Sequence, residues 1–206
     1  MEARGKEDKR PLVVVISGPS GVGKDAIINQ MKKTAVPGQY IVTATTRRRR
    51  PREKSGLDYC FLSQAEFEKM IEGGQLLEHA SVYGHYYGVP FQPVKEALEK
   101  GSDVFIKVDV QGAETIKGKL PRAILIFITP PSYQELKRRL EKRLTESPET
   151  LKRRLDAASE EMKKLPAFDY AVVNDRLEDA VAEIQAIISA EKCRLPHRHI
   201  NLPPPD

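Results

Sequence analysis

The stretch from Val13 to Ile28, which reads VVVISGPSGVGKDAII, constrains the fold of this chain more than any other. Its first four residues are β-branched and apolar, which is typical of a buried strand. The segment from Gly18 to Lys24 then fits the first seven positions of the phosphate-loop pattern GxxxxGK[ST], and the residues after it can begin a helix. The glycines let backbone N–H groups turn toward an anion, and the helix N-terminus adds partial positive charge. We therefore predict a nucleotide phosphate site here, with a glycine-rich turn that binds nothing as the alternative.

The eighth position of this pattern holds Asp25 instead of Ser or Thr. A hydroxyl at that position usually contacts Mg²⁺, so the change concerns the metal site. Lys24, immediately before it, is placed to reach the outer phosphates of a nucleotide.

The 206 residues suffice for one phosphate-loop domain with a small insertion and a substantial core. The net charge of +5 suits anionic ligands, but it is too small to indicate nucleic acid by itself. Apolar runs are too short to span a membrane, and the charged opening MEARGKEDKR, which contains acids, is unlike a signal or transit peptide. Cys60 and Cys193 lie far apart and are expected to be free thiols in a reducing compartment. We therefore expect neither nucleic acid nor a membrane as a partner.

Short apolar runs separated by helical patterns predict a parallel α/β sheet. Beyond the first strand, such runs lie at Asp103 to Asp109, at Ala123 to Ile128 and at Tyr170 to Asn174. The last helix is predicted from Leu177 to Glu191, with an apolar stripe that packs on this sheet.

The segment between the first helix and Asp103 is predicted to be more mixed. Strands are expected from Tyr40 to Thr43, from Asp58 to Leu62, and from Leu76 to Val82 with Glu78 inside it. Ser63 and Glu66 have the spacing of a capping box, which predicts a helix start. A turn is predicted from Tyr83 to Gly88, and a helix is expected from Pro93 to Lys100.

Arginines cluster at two places in the chain. Five of the six residues from Arg47 to Arg52 are arginines, and like charges repel one another unless anions lie among them. On the residues alone, a solvated basic loop and an anion site are both open. A second group lies on two helices predicted between Ser132 and Leu165, which are separated by a break at Thr145 to Pro148. An exposed helical hairpin with solvated charge is the alternative for that group.

Taken together, the order and spacing of five motifs resemble those of guanylate kinases. These motifs are GPSGVGK, TTRRRRPREKSGLDYCF, LLEHASVYGHYYG, VDVQG and VVND, and the resemblance runs from about Pro11 to Lys192. It implies an α/β fold with a P-loop NTPase-type parallel sheet core flanked by helices, a small α+β GMP-binding insertion and a helical lid. By this resemblance the core spans residues 11–40, 94–130 and 166–194, the insertion 41–93 and the lid 131–165, with flexible tails at 1–10 and 195–206.

The resemblance also implies an activity, namely Mg²⁺-dependent, reversible transfer of the γ-phosphoryl group of ATP to GMP in purine nucleotide metabolism. Lysine and arginine charges and lid closure would assist the reaction, because two highly charged phosphate groups must approach each other. Carried over by position, the ATP-binding residues are Gly18, Pro19, Ser20, Gly21, Val22, Gly23, Lys24, Asp25 and Asn174, the last near the adenine. The GMP-binding residues are Thr43, Arg47, Arg50, Tyr59, Glu78, Tyr87 and Asp109, and the catalytic residues are Lys24, Arg139, Arg143 and Arg154.

Within the implied GMP site, the base and the phosphate have separate partners. Glu78 would accept hydrogen bonds from the guanine N1–H and 2-amino groups, while Thr43 and Asp109 would line the base pocket. The phosphate would be held by Arg47, Arg50, Tyr59 and Tyr87. The remaining arginines of that loop, Arg48, Arg49 and Arg52, are expected to be solvated surface residues.

Three residues depart from the pattern of the family. Val89 replaces a usual Ser or Thr, so one guanine contact is expected to be missing. Lys107 replaces the Asp that usually orients water around Mg²⁺, and Asp25 replaces a neutral hydroxyl. We predict that Asp25 and Lys107 form a compensated pair with Asp25 as a ligand of Mg²⁺. The alternative is an Asp25 that caps the helix and faces solvent, with Lys107 paired to another acid.

The residues at positions 25 and 107 resemble those of the plant organellar branch of the family. This resemblance implies the chloroplast or the mitochondrion, with a targeting segment outside this chain, and the cytoplasm is the alternative. Two other functions remain open, namely a binding module that has lost catalysis and a kinase for AMP or UMP. The intact phosphate loop disfavours the first, and Glu78 disfavours the second because a carboxylate repels the acceptor N1 of adenine. We expect a monomer.

Overall fold

The computed structural model describes residues 10–51, 53–82, 84–143 and 148–195. Most of the two predicted tails, and residues 145–147 of the predicted break between the arginine-rich helices, lie outside these ranges.

Strands and helices alternate along the described residues. The strands are β1 (Val13–Ser17), β2 (Gln39–Tyr40), β3 (Ala44–Thr45), β4 (Cys60–Phe61), β5 (Leu76–Val82), β6 (His85–Pro90), β7 (Val104–Lys107), β8 (Ile124–Thr129) and β9 (Tyr170–Val173). The helices are α1 (Lys24–Lys33), α2 (Gln64–Glu72), α3 (Phe91–Glu99), α4 (Val110–Lys119), α5 (Tyr133–Arg143), α6 (Pro148–Met162) and α7 (Leu177–Cys193).

The core sheet is parallel and has the order β2–β7–β1–β8–β9. Side chains of β1 alternate between its two faces, as the period of a strand requires. Val14 and Ile16 pack in one apolar cluster with helices α1, α5, α6 and α7, whereas Val15 packs in another with α3 and α4. This confirms the predicted α/β architecture with a buried parallel sheet covered by helices on both faces.

The second sheet is small and has the order β4–β3–β6–β5. The predicted turn at residues 83–88 is wrong in its second half, because His85–Pro90 forms β6 antiparallel to β5. Its residues alternate as those of a strand do: the Tyr86 ring stacks on Phe67, with ring centroids 5.3 Å apart, while Tyr87 lines a cleft. The predicted strand from Tyr40 to Thr43 is also wrong as a single element. Tyr40 pairs in the core sheet, and the chain then crosses to β3 in the second sheet.

Helix boundaries follow local chemistry. The predicted capping box at the start of α2 is confirmed, since the Ser63 N–H donates to Glu66 Oε2 at 2.7 Å and the Glu66 N–H donates to Ser63 Oγ at 3.3 Å. Helix α3 begins at Phe91, so Pro93 lies in its first turn, where a missing N–H costs little. Among the described residues, no helix has the length and apolar character needed to cross a bilayer.

Candidate active site

A cleft of about 580 Å³ opens at the carboxyl ends of the core strands, which is where ligands bind in parallel sheets. The phosphate loop, the second sheet and helix α6 all contribute to its wall. The predicted site residues that line it are Gly18, Ser20, Gly21, Gly23, Lys24, Asp25, Thr43, Arg47, Arg50, Tyr59, Glu78, Tyr87, Asp109 and Arg154. Residues far apart in sequence therefore meet around one cavity.

The phosphate loop between β1 and α1 has a backbone that requires glycine. Gly18 has φ +132°, and a Cβ there would lie 2.3 Å from the carbonyl oxygen of Ile128. Gly23 has φ +100°, and its Cβ would lie 2.4 Å from Nδ2 of Asn174. That Nδ2 donates to the carbonyl oxygen of Val22 at 2.7 Å, so the buried Asn174 side chain supports the loop from below. Its predicted contact with adenine stays a prediction.

Lys24 folds back over the loop. Its ammonium donates to the carbonyl oxygens of Gly18 and Pro19, the latter at 3.0 Å. Burial lowers the pKa of Lys24, while the nearby acids Glu161, Asp25 and Asp109 act in the opposite direction. A phosphate group arriving at the loop would replace the two carbonyls as the partner of this ammonium.

Glu161 of helix α6 is a site residue that the sequence reasoning missed. Its Oε2 accepts a hydrogen bond from the backbone N–H of Ser20 at 3.2 Å. Burial raises the pKa of Glu161, and attraction to Lys24 partly offsets that effect. The carboxylate therefore accepts from a backbone N–H of the loop, and such loop N–H groups are the ones that bind phosphate oxygens.

An arginine and two tyrosines form the opposite wall of the cleft. Arg47 Nε donates to the hydroxyl of Tyr87 at 3.2 Å, and the guanidinium lies 5.3 Å from the ring centre of Tyr59. Glu53 holds the same guanidinium through two bonds of 2.7 and 3.1 Å, and it also accepts from the backbone N–H of Arg50 at 2.8 Å. Burial works against the charge of Glu53, but these bonds lower its pKa. Glu53, which the sequence reasoning also missed, orients the arginine loop toward the cleft.

Glu78 is the most deeply buried acid in the cleft, with 2% of the residue exposed. Its Oε2 has no hydrogen-bond partner among the described residues. Burial and the neighbouring Asp109 raise the pKa of Glu78 to about 8. A Cβ at Gly112 would lie 2.8 Å from that oxygen, so the absence of a side chain there makes room for the carboxylate. An unpartnered buried acceptor of this kind fits a ligand that brings N–H donors.

Two other residues of the predicted base pocket also take part in the local structure. Asp109 caps helix α4 by accepting from the backbone N–H of Gly112 at 2.7 Å. The hydroxyl of the buried Thr43 donates to the carbonyl oxygen of Lys107 at 3.2 Å. Val89 is fully buried and apolar, so it offers no hydrogen bond to a base.

Asp25 and Lys107 are in direct contact, as the sequence predicts. The Lys107 ammonium donates to Asp25 Oδ1, and it lies 4.1 Å from the ring centre of Tyr59. Burial works against the charge of Lys107, but Tyr59 and Asp25 outweigh it and raise its pKa. The Asp25 carboxylate also lines the cleft.

Asp25 is the predicted metal ligand, and its surroundings test whether a metal ion fits there. Within the described ranges, no group of three or more His, Cys, Asp or Glu side chains could hold an ion by itself. Asp25 supplies one hard carboxylate oxygen beside the phosphate loop, and Mg²⁺ usually takes one or two carboxylates together with nucleotide phosphates and water. The donor set fits Mg²⁺ in this form.

Arg139 lies behind the phosphate loop, apart from the residues that line the cleft. Its guanidinium donates to the carbonyl oxygens of Val22 at 3.3 Å and Asn174 at 2.9 Å, and to Glu135 at 2.7 Å. The side chain of Arg143 lies outside what the structure describes, although the backbone of that residue ends α5.

Sequence reasoning also left out three basic residues that line the cleft, namely Arg48, His85 and Arg153. Arg48 and Arg153 belong to the basic segments singled out above, so clustering was the signal for both. His85 lies within the predicted turn and begins β6, and it had no signal of its own.

Comparisons with known proteins agree on one family. A family model described as guanylate kinase matches residues 9–191. The chain is 43% identical over 189 residues to a guanylate kinase of Desulfitobacterium hafniense, covering 92% of this chain and 94% of that protein. It is 45% identical over 181 residues to a guanylate kinase of Lactobacillus acidophilus, covering 87% and 89%. These relatives are bacterial, which gives no support to the plant organellar branch.

A solved structure shares the fold. The crystal structure of guanylate kinase from Anaplasma phagocytophilum superposes with a TM-score of 0.80 at 30% identity, covering 93% of this chain and 92% of that one. The phosphate loop, the arginine–tyrosine wall and the buried acid thus lie on a P-loop NTPase-type fold, and the chain belongs to the guanylate kinase family.

Proposed function

We propose that the protein is a guanylate kinase that transfers the γ-phosphoryl group of ATP to GMP, giving ADP and GDP. One observation carries this proposal: the cleft is lined both by the phosphate loop and by a buried acid, Glu78, whose Oε2 has no hydrogen-bond partner among the described residues. A loop suited to the phosphates of one nucleotide therefore shares a cleft with a pocket suited to the N–H donors of a second nucleotide's base. The arginine–tyrosine wall lies in the same cleft and suits the phosphate of that second nucleotide.

Guanine recognition would rest on Glu78. Its ionised carboxylate can accept from both the N1–H and the 2-amino group of guanine, whereas adenine presents at N1 an acceptor that the same carboxylate repels. Thr43 and Asp109 line the same cleft and would complete the base pocket, while the apolar Val89 adds no polar contact. The four residues proposed to hold the GMP phosphate are Arg47, Arg50, Tyr59 and Tyr87.

The transfer step needs little proton chemistry. The bond between the γ-phosphorus of ATP and its bridging oxygen breaks, and a bond forms between that phosphorus and an oxygen of the GMP phosphate. The attacking oxygen is already anionic, so no strong base is required, and ADP leaves as an anion. The difficulty is electrostatic, and the loop amides with Lys24 and the surrounding arginines would offset the repulsion between the two phosphate groups.

Mg²⁺ bound with ATP would neutralise part of the phosphate charge, and Asp25 is the residue that we propose as its protein ligand. Arg139, Arg143 and Arg154 are the arginines that we propose to meet the transferring group. Arg154 lines the cleft, whereas Arg139 would first have to leave the carbonyl oxygens of Val22 and Asn174.

We divide the chain into a core at 11–40, 94–130 and 166–194, a GMP-binding insertion at 41–93 and a lid at 131–165. Helix α6 of the proposed lid reaches the phosphate loop through Glu161, so movement of this helix would open or close the ATP site. Closure would exclude water and prevent wasteful hydrolysis of ATP. We also propose that the protein acts as a monomer.

The proposal of a chloroplast or mitochondrial location rests on the residues at positions 25 and 107, which resemble those of the plant organellar branch. The bacterial relatives fit the alternative, the cytoplasm. Fractionation of the source cells, with an antibody against this protein, would decide between them.

A coupled assay tests the proposed function. ADP formation is measured with ATP and Mg²⁺ in the presence of GMP, AMP or UMP, and we expect turnover with GMP at least a hundredfold above the other two, as for sites that pair with substrate donors. Lys24→Met should lower turnover by about a thousandfold without unfolding the protein. Binding of GMP without turnover would instead indicate a binding module, and preferred turnover of AMP or UMP would indicate a different kinase.

A further inference from the structure

Lys107 occupies an unusual place for a lysine. It is the last residue of β7 and lies opposite Ile16 of β1, directly beside the start of the phosphate loop. Lysines at a surface normally extend their ammonium groups into water. The side chain of Lys107 is only 13% exposed, and it lines the cleft among the nucleotide-binding residues.

Two groups that line the cleft contact this ammonium. Asp25, on the side of the phosphate loop, accepts its hydrogen bond. Tyr59, on the side of the arginine–tyrosine wall, presents its ring at 4.1 Å. The ring of Tyr59 also lies 5.3 Å from the guanidinium of Arg47. The Lys107 charge is therefore fixed between the proposed ATP site and the proposed site for the GMP phosphate.

Neutralising Asp25 does not explain a buried lysine. The Asp25 side chain is 41% exposed, so water can already solvate its charge. Lys107 is the member of the pair that burial penalises, and a partly exposed ion pair contributes little stability. The ion pair therefore stabilises the charged form of Lys107 in the cleft more than it stabilises the charge of Asp25. A charge kept inside a ligand cleft against such a penalty is typical of a functional group.

We propose that Lys107 is a catalytic residue whose ammonium contacts the phosphoryl group during its transfer between the two nucleotides. The proposal rests on the proposed function above and assigns the site a cation beyond Lys24 and the arginines. Lys107 keeps its proton throughout: the bond from phosphorus to the leaving oxygen of ADP breaks, the bond to the GMP phosphate oxygen forms, and the ammonium stabilises the charge between them. Asp25 holds the ammonium near this position before the nucleotides bind.

Paired substitutions separate this role from simple charge compensation. Lys107→Met removes the cation and leaves Asp25 charged, whereas Lys107→Met combined with Asp25→Asn removes both charges. If Lys107 acts on the phosphoryl group, both variants should lose on the order of a hundredfold in kcat, with the KM for GMP changing little. Lys107→Arg should recover part of the loss because it restores a cation. The double variant leaves no buried unpaired charge, so it carries the test where the single variant fails to fold.

A binding measurement gives a readout that does not depend on turnover. The probe is a dinucleoside pentaphosphate that joins adenosine to guanosine and so spans both sites, titrated by calorimetry with and without Mg²⁺. Lys107→Met should weaken this probe by at least tenfold while the affinity for GMP alone stays within about twofold. Lys117→Met is the matched control, because Lys117 also forms an ion pair, with Asp169 at 2.8 Å, but lies outside the cleft. We expect that control to retain wild-type kcat and probe affinity.

Recovery of wild-type kcat in the double variant would overturn the proposal, since Lys107 would then act only on Asp25. An unchanged kcat or probe affinity in Lys107→Met would overturn it as well. Asp25→Asn alone is the reference for the double variant, because Asp25 is also the proposed ligand of Mg²⁺. A kcat and a probe affinity in the double variant below those of Asp25→Asn would support the proposal, and values equal to those of Asp25→Asn would overturn it. A wild-type protein that is inactive with ATP and GMP would instead contradict the proposed function itself, which is a separate outcome.

Discussion

The carboxylate of Glu78 lies where a side chain on residue 112 would otherwise be. A Cβ added to Gly112 would approach Glu78 Oε2 to 2.8 Å and its carboxyl carbon to 3.0 Å. Gly112 is in the first turn of α4, and its backbone N–H is taken by Asp109. The glycine therefore leaves the space that the Glu78 carboxylate needs. Glu78 is 34 residues earlier in the chain, and the two residues meet only in the folded protein.

Gly112→Ala should raise the KM for GMP by roughly tenfold. The new methyl group pushes the Glu78 carboxylate away from the place where it can accept two guanine donors, and each hydrogen bond lost to a misplaced acceptor costs about 1 kcal/mol. Steady-state kinetics with GMP as the varied substrate measure the change. Gly118→Ala is the matched control in the same helix, since a Cβ there meets nothing within 4 Å. Equal KM values for the two variants would contradict this account of Gly112.

GMP binding near pH 7 should release close to one proton. With a pKa of about 8, Glu78 is mostly protonated in the free protein at pH 7, and it must ionise to accept both guanine donors. Calorimetric titration in two buffers of different ionisation enthalpy measures the protons released. Glu78→Gln should abolish the release and weaken GMP binding. A wild-type titration with no dependence on the buffer would rule out this linkage.

The raised pKa of Glu78 should also make the stability of the free protein depend on pH. The pKa of Glu78 is raised on folding, so the folded state binds this proton more tightly than the unfolded state does. The contribution of this group to stability is therefore fully present below the usual pKa of a glutamate, near 4.5, and is lost as pH rises toward 8. The melting temperature of Glu78→Gln minus that of wild type should therefore increase as the pH is raised from 5 to 8.5. A constant difference across that range would contradict the raised pKa.

Local sequence patterns predicted the phosphate loop and the capping box well, because both depend on residues a few positions apart. The core strands were predictable for a similar reason, since a strand buried on both faces must be apolar throughout. The turn predicted at residues 83–88 was wrong from His85 onward, because Gly84 and Gly88 concealed the alternation of Tyr86 and Tyr87 between the two faces of β6. Here pairing with β5, which is a tertiary contact, outweighed the local turn signal.

Glu53 and Glu161 show why other parts of the site escaped prediction. Each is an ordinary acid in a charged segment, and nothing in the local sequence distinguishes it from a solvated one. Glu161 reaches Ser20 across 141 positions of sequence, so only the packing of α6 against the loop reveals its role. The contact between Asp25 and Lys107 spans 82 positions, but it was predictable because two unusual charges occurred at positions that the family resemblance brings together.

Glu161→Gln should increase the affinity for ATP by several-fold. The carboxylate accepts from a loop amide that a phosphate group needs, and its negative charge repels the nucleotide, whereas an amide side chain is neutral. Calorimetric titration with ATP and Mg²⁺ measures the effect. Glu160→Gln is the neighbouring control, because Glu160 is exposed and pairs with Lys163 at 2.7 Å. Weaker ATP binding in Glu161→Gln would mean that the acid helps to bind ATP and does not compete with it.

Arg139 and Arg154 should differ in what their loss does to the protein. Arg139→Met removes a donor from the carbonyl oxygens of Val22 and Asn174, so it should lower the melting temperature by several degrees. It should also lower kcat, because the same guanidinium is proposed to reach the phosphoryl group. Arg154→Met should lower kcat by about a hundredfold with a smaller effect on melting, since this residue lines the cleft. Kinetics and thermal unfolding on the same preparations measure both quantities.

Arg138→Met is the control for these two variants. Arg138 lies next to Arg139 in sequence and shares Glu135 as a partner, but its side chain is 54% exposed, whereas that of Arg139 is 21% exposed. We expect it to keep wild-type kcat and melting temperature, because an exposed ion pair within one helix contributes little stability. If Arg139→Met lowers the melting temperature and leaves kcat unchanged, its guanidinium supports the phosphate loop without entering the reaction. Transfer would then depend on Lys24, Arg154 and the remaining cations of the cleft.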